Sequence, residues 1–254
     1  MPDTFRIRRL DWDSGFFGIR VGELRARGAT ADRLHEILAS ASRDYDLVYL
    51  RDADPGLMTA GFLRVHRGQH VDTRVEFEVA PVVPPEGDPA SCGRVRPFGP
   101  DEDSSDLVAL APQAAAHSRF RRDVRFPAEW VDRLYRAWIE RSVSGALADR
   151  VLVAELDDRI AGFHAIRVED GAGRLTLFAV DAAARGRGLG GALLRAGLEW
   201  VRERGLSRAR VATQIDNPVC RLYERFGYSL VGREEIYHFW PDPSSPVARS
   251  SDLP

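Results

Sequence analysis

The chain has 254 residues, 44% of them hydrophobic and 29% charged, which suits one large globular domain or two small ones with a buried core. Its 36 basic residues are all arginine and meet 38 acidic ones; the net charge of −2 lacks the basic footprint of a general nucleic-acid binder, and the absence of lysine removes lysine bases and Schiff bases. Two cysteines, Cys92 and Cys220, with no CxxC or Cys/His cluster, argue against a zinc site or a disulfide framework, and no apolar run nears the ~20 residues that span a bilayer.

The opening FRIRRLDWD is too charged for a signal peptide, so a cytoplasmic protein is expected. Residues 5–10 alternate as a strand does. In the block LDWDSGFFG, Trp12, Phe16 and Phe17 flank Asp13, Ser14 and Gly15, which reads as a turn that folds aromatics into the core or, alternatively, as a wall beside a substrate. Thr30 is placed to cap a helix carrying Leu34, Ile37, Leu38 and Ala41. Residues 47–50 form a buried strand, and Asp54-Pro55-Gly56 a turn or helix start. Val71, Thr73, Val75, Phe77 and Val79 alternate with charged residues, the pattern of an antiparallel strand with one buried face. Residues 81–93, PVVPPEGDPASCG, break any regular element and divide an N-terminal part, 1–80, from a second, 94–241.

After this linker the sequence reads as strand, acidic loop and helix. HSRFRRDVRF then holds Arg119, Arg121, Arg122 and Arg125, either as a solvated loop or as a cradle for phosphate. Pro127 suits the first turn of a helix whose apolar face includes Trp130, Leu134, Tyr135, Trp138 and Ile139. Two strands joined at Asp157-Asp158 follow, then a turn at 169–173 and the stretch RLTLFAV-DAAA-RGRGLG. That stretch is a strand, a glycine-rich loop and a helix start. The helix behind it places Leu189, Leu193, Gly197 and Trp200 on one stripe. Free N–H groups and the positive dipole end of a first helical turn suit a phosphate, and glycines let it approach. Farther on, 207–214 is a strand, Asp216-Asn217-Pro218 opens a helix lined by Val219, Leu222, Tyr223 and Phe226, and Gly227 closes it. YSLVG and EEIYHFW are the closing strands, and the Pro/Ser-rich residues 242–254 are expected to be disordered. Residues 61–65, with the strand after them, faintly echo 227–231 and their strand, as a worn internal copy would.

R-x-x-G-x-G (Arg185, Gly188, Gly190), then Asn217 and Tyr223 on one helix, then RFGY at 225–228 occur in an order that resembles the GNAT superfamily of acetyl-CoA-dependent N-acetyltransferases, over about residues 94–241. The resemblance implies an α/β (α+β) fold with a mixed, mostly antiparallel sheet flanked by helices, plus a smaller, degenerate GNAT-like N-terminal α/β domain. It also implies coenzyme A as the bound carrier. The pyrophosphate would lie on backbone N–H groups of Arg185, Gly186, Arg187, Gly188, Leu189 and Gly190. The pantetheine arm would pair with a splayed strand at Phe178, Ala179 and Val180, contacted also by Asn217. Tyr223 would be the general acid at the thioester sulfur. The acceptor's base stays open among His117, His164, Glu169 and ordered water. Residues 117–143, RVATQ at 210–214 and the WDSGFFG opening are similar to the bacterial TDP-fucosamine acetyltransferases, the match loosening at RRDVRF. That likeness implies a nucleotide-linked amino sugar as small-molecule substrate, bordered by Ser118, Arg119, Phe120, Tyr135 and Trp138, with no metal, nucleic acid or membrane partner, and a homodimer. Two alternatives remain: a GNAT enzyme for another small amine or a peptide amine, and a non-catalytic acyl-CoA-binding module.

Overall fold

A computed structural model describes residues 5–82 and 93–241, so most of the proposed linker and the whole 242–254 tail lie outside the described residues. The elements in chain order are β1 (Arg8–Arg9), α1 (Asp11–Phe17), β2 (Val21–Arg25), α2 (Ala31–Ala41), β3 (Leu47–Arg51), α3 (Ala60–Val65), β4 (Gly68–Val79), β5 (Arg94–Pro97), α4 (Ser105–Leu110), α5 (Arg119–Arg122), α6 (Ala128–Val143), β6 (Arg150–Leu156), β7 (Arg159–Glu169), β8 (Ala172–Val180), α7 (Leu189–Glu203), β9 (Ala209–Gln214), α8 (Cys220–Arg225) and β10 (Ser229–Phe239), with 3-10 segments at Pro55–Leu57, Ala111–Ala115 and Ala182–Ala184. They form two compact units. One holds the described residues up to Arg74, Arg119–Trp130 and those from Arg233 on; the other holds Val75–Ser118 and Val131–Gly232. Both β4 and β10 are therefore divided between the two units.

In the first unit β2 runs antiparallel to β1 and parallel to β3, and β3 pairs antiparallel with β10 from Arg51↔Ile236 to Val48↔Phe239. The Thr30 hydroxyl accepts the Arg33 N–H, capping α2. Its buried stripe, Leu34 and Leu38, packs with Leu24, Leu50 and Phe239. The segment at 11–17 is a helix rather than a turn. Ser14 holds it: its hydroxyl donates to the Leu10 carbonyl (2.7 Å) and accepts from the Val21 N–H (3.0 Å), tying α1 to the first residue of β2. The arginine block also differs from a free loop. It opens with α5, and at its centre buried Asp123 accepts hydrogen bonds from His238 Nδ1 (2.8 Å) and Trp240 Nε1 (2.9 Å). The two closing segments form a single strand, β10.

The second unit has the mixed, mostly antiparallel sheet flanked by helices that the resemblance implies. Strands β5, β6, β7 and β8 form an antiparallel run, β9 adds to β8 in parallel, and β4 lies on the other side of β9. Asp157 and Asp158, both at positive φ, make the tight β6–β7 turn, and Asp170-Gly171 make the β7–β8 turn. The buried face of α7, with Leu193, Leu194, Leu198 and Val201, covers this sheet and shares its core with Val75, Phe77, Tyr223 and Tyr228. Helix and sheet meet closely at Gly197 of α7: a Cβ there would lie 2.4 Å from the His164 ring.

His164 is fully buried and its Nδ1–H donates to the Leu193 carbonyl (3.1 Å), while Nε2 has no partner. Burial pushes its pKa down to about 4, because a second ring proton would be left unsolvated. The folded-state value lies below the unfolded one, so the stabilisation is complete above pH 6.5 and is lost as pH falls from 6.5 towards 4. Stability should therefore drop by up to about 1.4 kcal/mol per pH unit through this group. Urea unfolding at pH 6.5 and 5.0 should show a shallower loss in His164→Gln than in the parent chain.

Candidate functional site

Strands β8 and β9 are paired only from Gly173↔Ala209 to Leu175↔Val211, although β8 continues to Val180 and β9 to Gln214. On its other edge β8 stays bonded to β7 as far as Val180↔Gly162. The local cause is a bulge in β8. Ala165 faces Leu177 and Ile166 faces Leu175, so Thr176 is the extra residue, and its hydroxyl donates to the Ala165 carbonyl (3.3 Å). A bulge bends its strand, and this one falls where pairing with β9 stops. The parted strands open a cleft of 710 Å³ lined by residues 175–180 on one side and 211–214 on the other.

The loop after β8 is fixed before it reaches the cleft. The Asp181 carboxylate accepts from the Ala183 N–H (2.9 Å), and Gln113 Oε1 accepts from the Ala182 N–H (2.8 Å). Gly186 and Gly188 both sit at φ +79°, which L side chains rarely adopt, and α7 starts directly after them. The first N–H groups of α7 have no partner within the helix. Gly186, Gly188, Leu189, Gly190 and Gly191 all line the cleft. Arg185 lines it too, its Nε–H folded back onto the Val180 carbonyl (3.2 Å).

The far wall comes from α8. Asn217 Oδ1 accepts from the Val219 N–H (3.1 Å) and Nδ2 donates to Thr213 Oγ1 (3.0 Å), which ties the helix start to β9. This presents Tyr223 to the cleft with 2% of its surface exposed, its ring 6.1 Å from Phe77 and 5.6 Å from Tyr228. Burial, and then the nearby Cys220, raise the phenol well above its usual pKa and keep it protonated. The remaining lining includes Gln113, His117 and the tilted ring pair Tyr135 and Trp138, 4.9 Å apart.

One cleft thus gathers Phe178, Ala179, Val180, Arg185, Gly186, Gly188, Leu189, Gly190, Asn217, Tyr223, Tyr135 and Trp138. Among the described residues it does not gather the rest. Arg187 is a half-exposed side chain 4.0 Å from Asp157. Ser118 is buried. Arg119 and Phe120 belong to the first unit, where Phe120 packs against Phe17 and Phe126 and the Arg119 guanidinium lies 4.2 Å over the Tyr49 ring. His164 is a core residue, and Glu169 pairs with Arg174 at 2.7 Å. Sequence reasoning passed over Gln113, Thr176 and Thr213. A glutamine in a helical segment and two threonines in strands carry no signal for the bulge and tethers they make.

Residues 115–228 match the model of the acetyltransferase (GNAT) family. By that match the segment is similar to the acetyltransferases of the GNAT family. Mycothiol acetyltransferase of Clavibacter sepedonicus is 35% identical over 50% of this chain, which spans only 40% of that relative's length. dTDP-fucosamine acetyltransferase of Escherichia coli is 28% identical, with 85% of this chain and 90% of that one covered. A solved tandem GNAT protein from the clavulanic acid biosynthesis pathway aligns with TM-score 0.55 at 17% identity, over 88% of this chain and 76% of its own. No helix among the described residues is long and apolar enough to cross a membrane.

The tether at Asn217 has a measurable weight. Asn217→Ala and Thr213→Ala should each lower unfolding free energy by about 1 kcal/mol. The double variant should lose less than the sum, as read by urea denaturation in a double-mutant cycle.

Proposed function

We propose that the cleft transfers acetyl from acetyl-CoA to the amine of a nucleotide-activated amino sugar. The observation that carries this reading is the parting of β8 from β9, with the glycine loop at one end of the opening and Tyr223 on its wall. The free strand edge at Phe178, Ala179 and Val180 offers backbone groups to the amides of the pantetheine arm, with Asn217 beside it. The N–H groups from Arg185 to Gly190 would hold the pyrophosphate at a helix start, where negative charge is favoured. The bound carrier supplies an activated thioester. A backbone N–H near Val180 faces the developing oxyanion. Tyr223, held protonated by its burial, is the lining group placed to hydrogen-bond the leaving sulfur and to give it a proton as thiolate charge develops.

Two features favour a nucleotide-linked sugar over a polycationic amine. None of the residues lining the cleft is a carboxylate, and Arg185, Arg225 and His117 stand among them, a setting that suits an amine carried on an anion. A relative that the chain matches along most of both lengths is named for an amino-sugar substrate. The mycothiol acetyltransferases favour a second reading, transfer to another small amine. A non-catalytic carrier-binding module is the third, and the buried phenol on the cleft wall argues against it. Thiol release from acetyl-CoA, screened against dTDP-amino sugars, aminoglycosides and peptides, separates the three; no release with any amine would overturn the enzyme reading.

Tyr223→Phe should lower kcat more than about tenfold while coenzyme A affinity, measured by calorimetry, barely changes. An unchanged kcat with chemistry limiting turnover would remove the acid. Gly188→Asp should abolish coenzyme A binding, since it strains an αL residue and sets a carboxylate against the diphosphate. Normal affinity in that variant would contradict the cradle.

A further inference from the structure

We infer that His117 is the group that takes the proton from the acceptor amine. The inference rests on the acetyl-transfer reading above and names the residue that reading leaves open. Six histidines occur in the chain. Five have a ring nitrogen engaged: His35 with His66 (2.9 Å), His70 with Glu235 (2.7 Å), His164 with the Leu193 carbonyl and His238 with Asp123. Among the described residues only the His117 ring makes no hydrogen bond or ion pair, and it is half-buried in the cleft wall beside Tyr135 and Trp138.

Elimination points the same way. The ionisable groups lining the cleft are His117, Tyr135, Arg185, Tyr223 and Arg225. Guanidinium groups hold their protons, and Tyr223 is needed protonated. No carboxylate lines the cleft, and the chain has no lysine. Tyr135 is a second phenol, a donor of the same kind as Tyr223, which leaves the His117 imidazole as the lining side chain with a ring lone pair to take a proton. Its backbone is well placed to be rigid: it follows the 3-10 segment Ala111–Ala115, in which Gln113 is bonded to the loop ahead of the glycines.

The proton count closes. An ammonium acceptor loses one proton to His117, which passes it to solvent. The neutral nitrogen forms the C–N bond as the C–S bond breaks, and sheds its second proton to His117. The sulfur receives one proton from Tyr223, which water replenishes. The net products are the amide, the free thiol and one proton in solvent.

The test uses the full chain with acetyl-CoA and dTDP-4-amino-4,6-dideoxygalactose, followed by the wider amine panel. His117→Ala and His117→Gln should both lower kcat by about tenfold or more, with coenzyme A affinity and melting temperature unchanged. Imidazole added to the buffer should restore part of the rate to His117→Ala. Glutamine keeps the polarity and bulk but not the basicity, so a structural role would survive in His117→Gln and a base would not. Full activity in His117→Gln, or no imidazole rescue, overturns the inference while leaving acetyl transfer standing. A parent chain that acetylates no amine overturns both.

Discussion

The second unit is organised by a pairing that stops. Two parallel strands begin in register and then separate after Leu175 and Val211, leaving the peptide groups of β8 beyond that point bonded on one edge only. A peptide group sealed from water without a partner costs about 1–3 kcal/mol, so such an edge persists only where solvent or a ligand reaches it. The open cleft meets that requirement. On the proposed reading what fits there is a slender chain with its own amide groups, acting as a short third strand between β8 and β9. The Thr176 bulge and the Asn217 tether hold the two sides apart, one by bending β8 and the other by anchoring α8 to β9.

The helix dipole, the glycine loop and the buried phenol draw on that geometry in different ways. The loop contributes directional N–H groups rather than charge; its one lining guanidinium, Arg185, is partly occupied by the Val180 carbonyl. The phenol depends on burial, which raises its pKa and keeps the proton available. On the proposed reading the wall carrying His117, Tyr135 and Trp138 faces the acceptor rather than the carrier, and it is there that specificity would be set.

Much of this was legible from local pattern. Alternation along β4, the capped stripe of α2, the apolar face of α7 and the glycine loop are short-range signals, and the structure has them where the sequence puts them. What was not legible depends on distant partners. Asp-Ser-Gly in α1 favours a turn by local preference, yet Ser14 holds a helix by bonding to β2. The arginine block looks like solvated charge, but Asp123 at its centre is fixed by His238 and Trp240, more than a hundred positions away. Arg119 stacks on Tyr49 for the same non-local reason. The bulge at Thr176 was hidden because Leu175 and Leu177 keep an alternating pattern whether or not the register slips between them.

The sharing of β4 and β10 between the units bears on the order in which a nascent chain can settle. Strand β3 is synthesised early, yet the strand that covers its open edge comes from 233–239; the ion pair between Arg51 and Glu234 alone spans 183 positions. Until those residues leave the ribosome, an edge flanked by Val48 and Leu50 has no partner, and unpaired apolar edges invite aggregation. A chain wired this way cannot complete the first unit before residues 233–239 are made, and its slowest step is expected to be a late, long-range closure of high contact order.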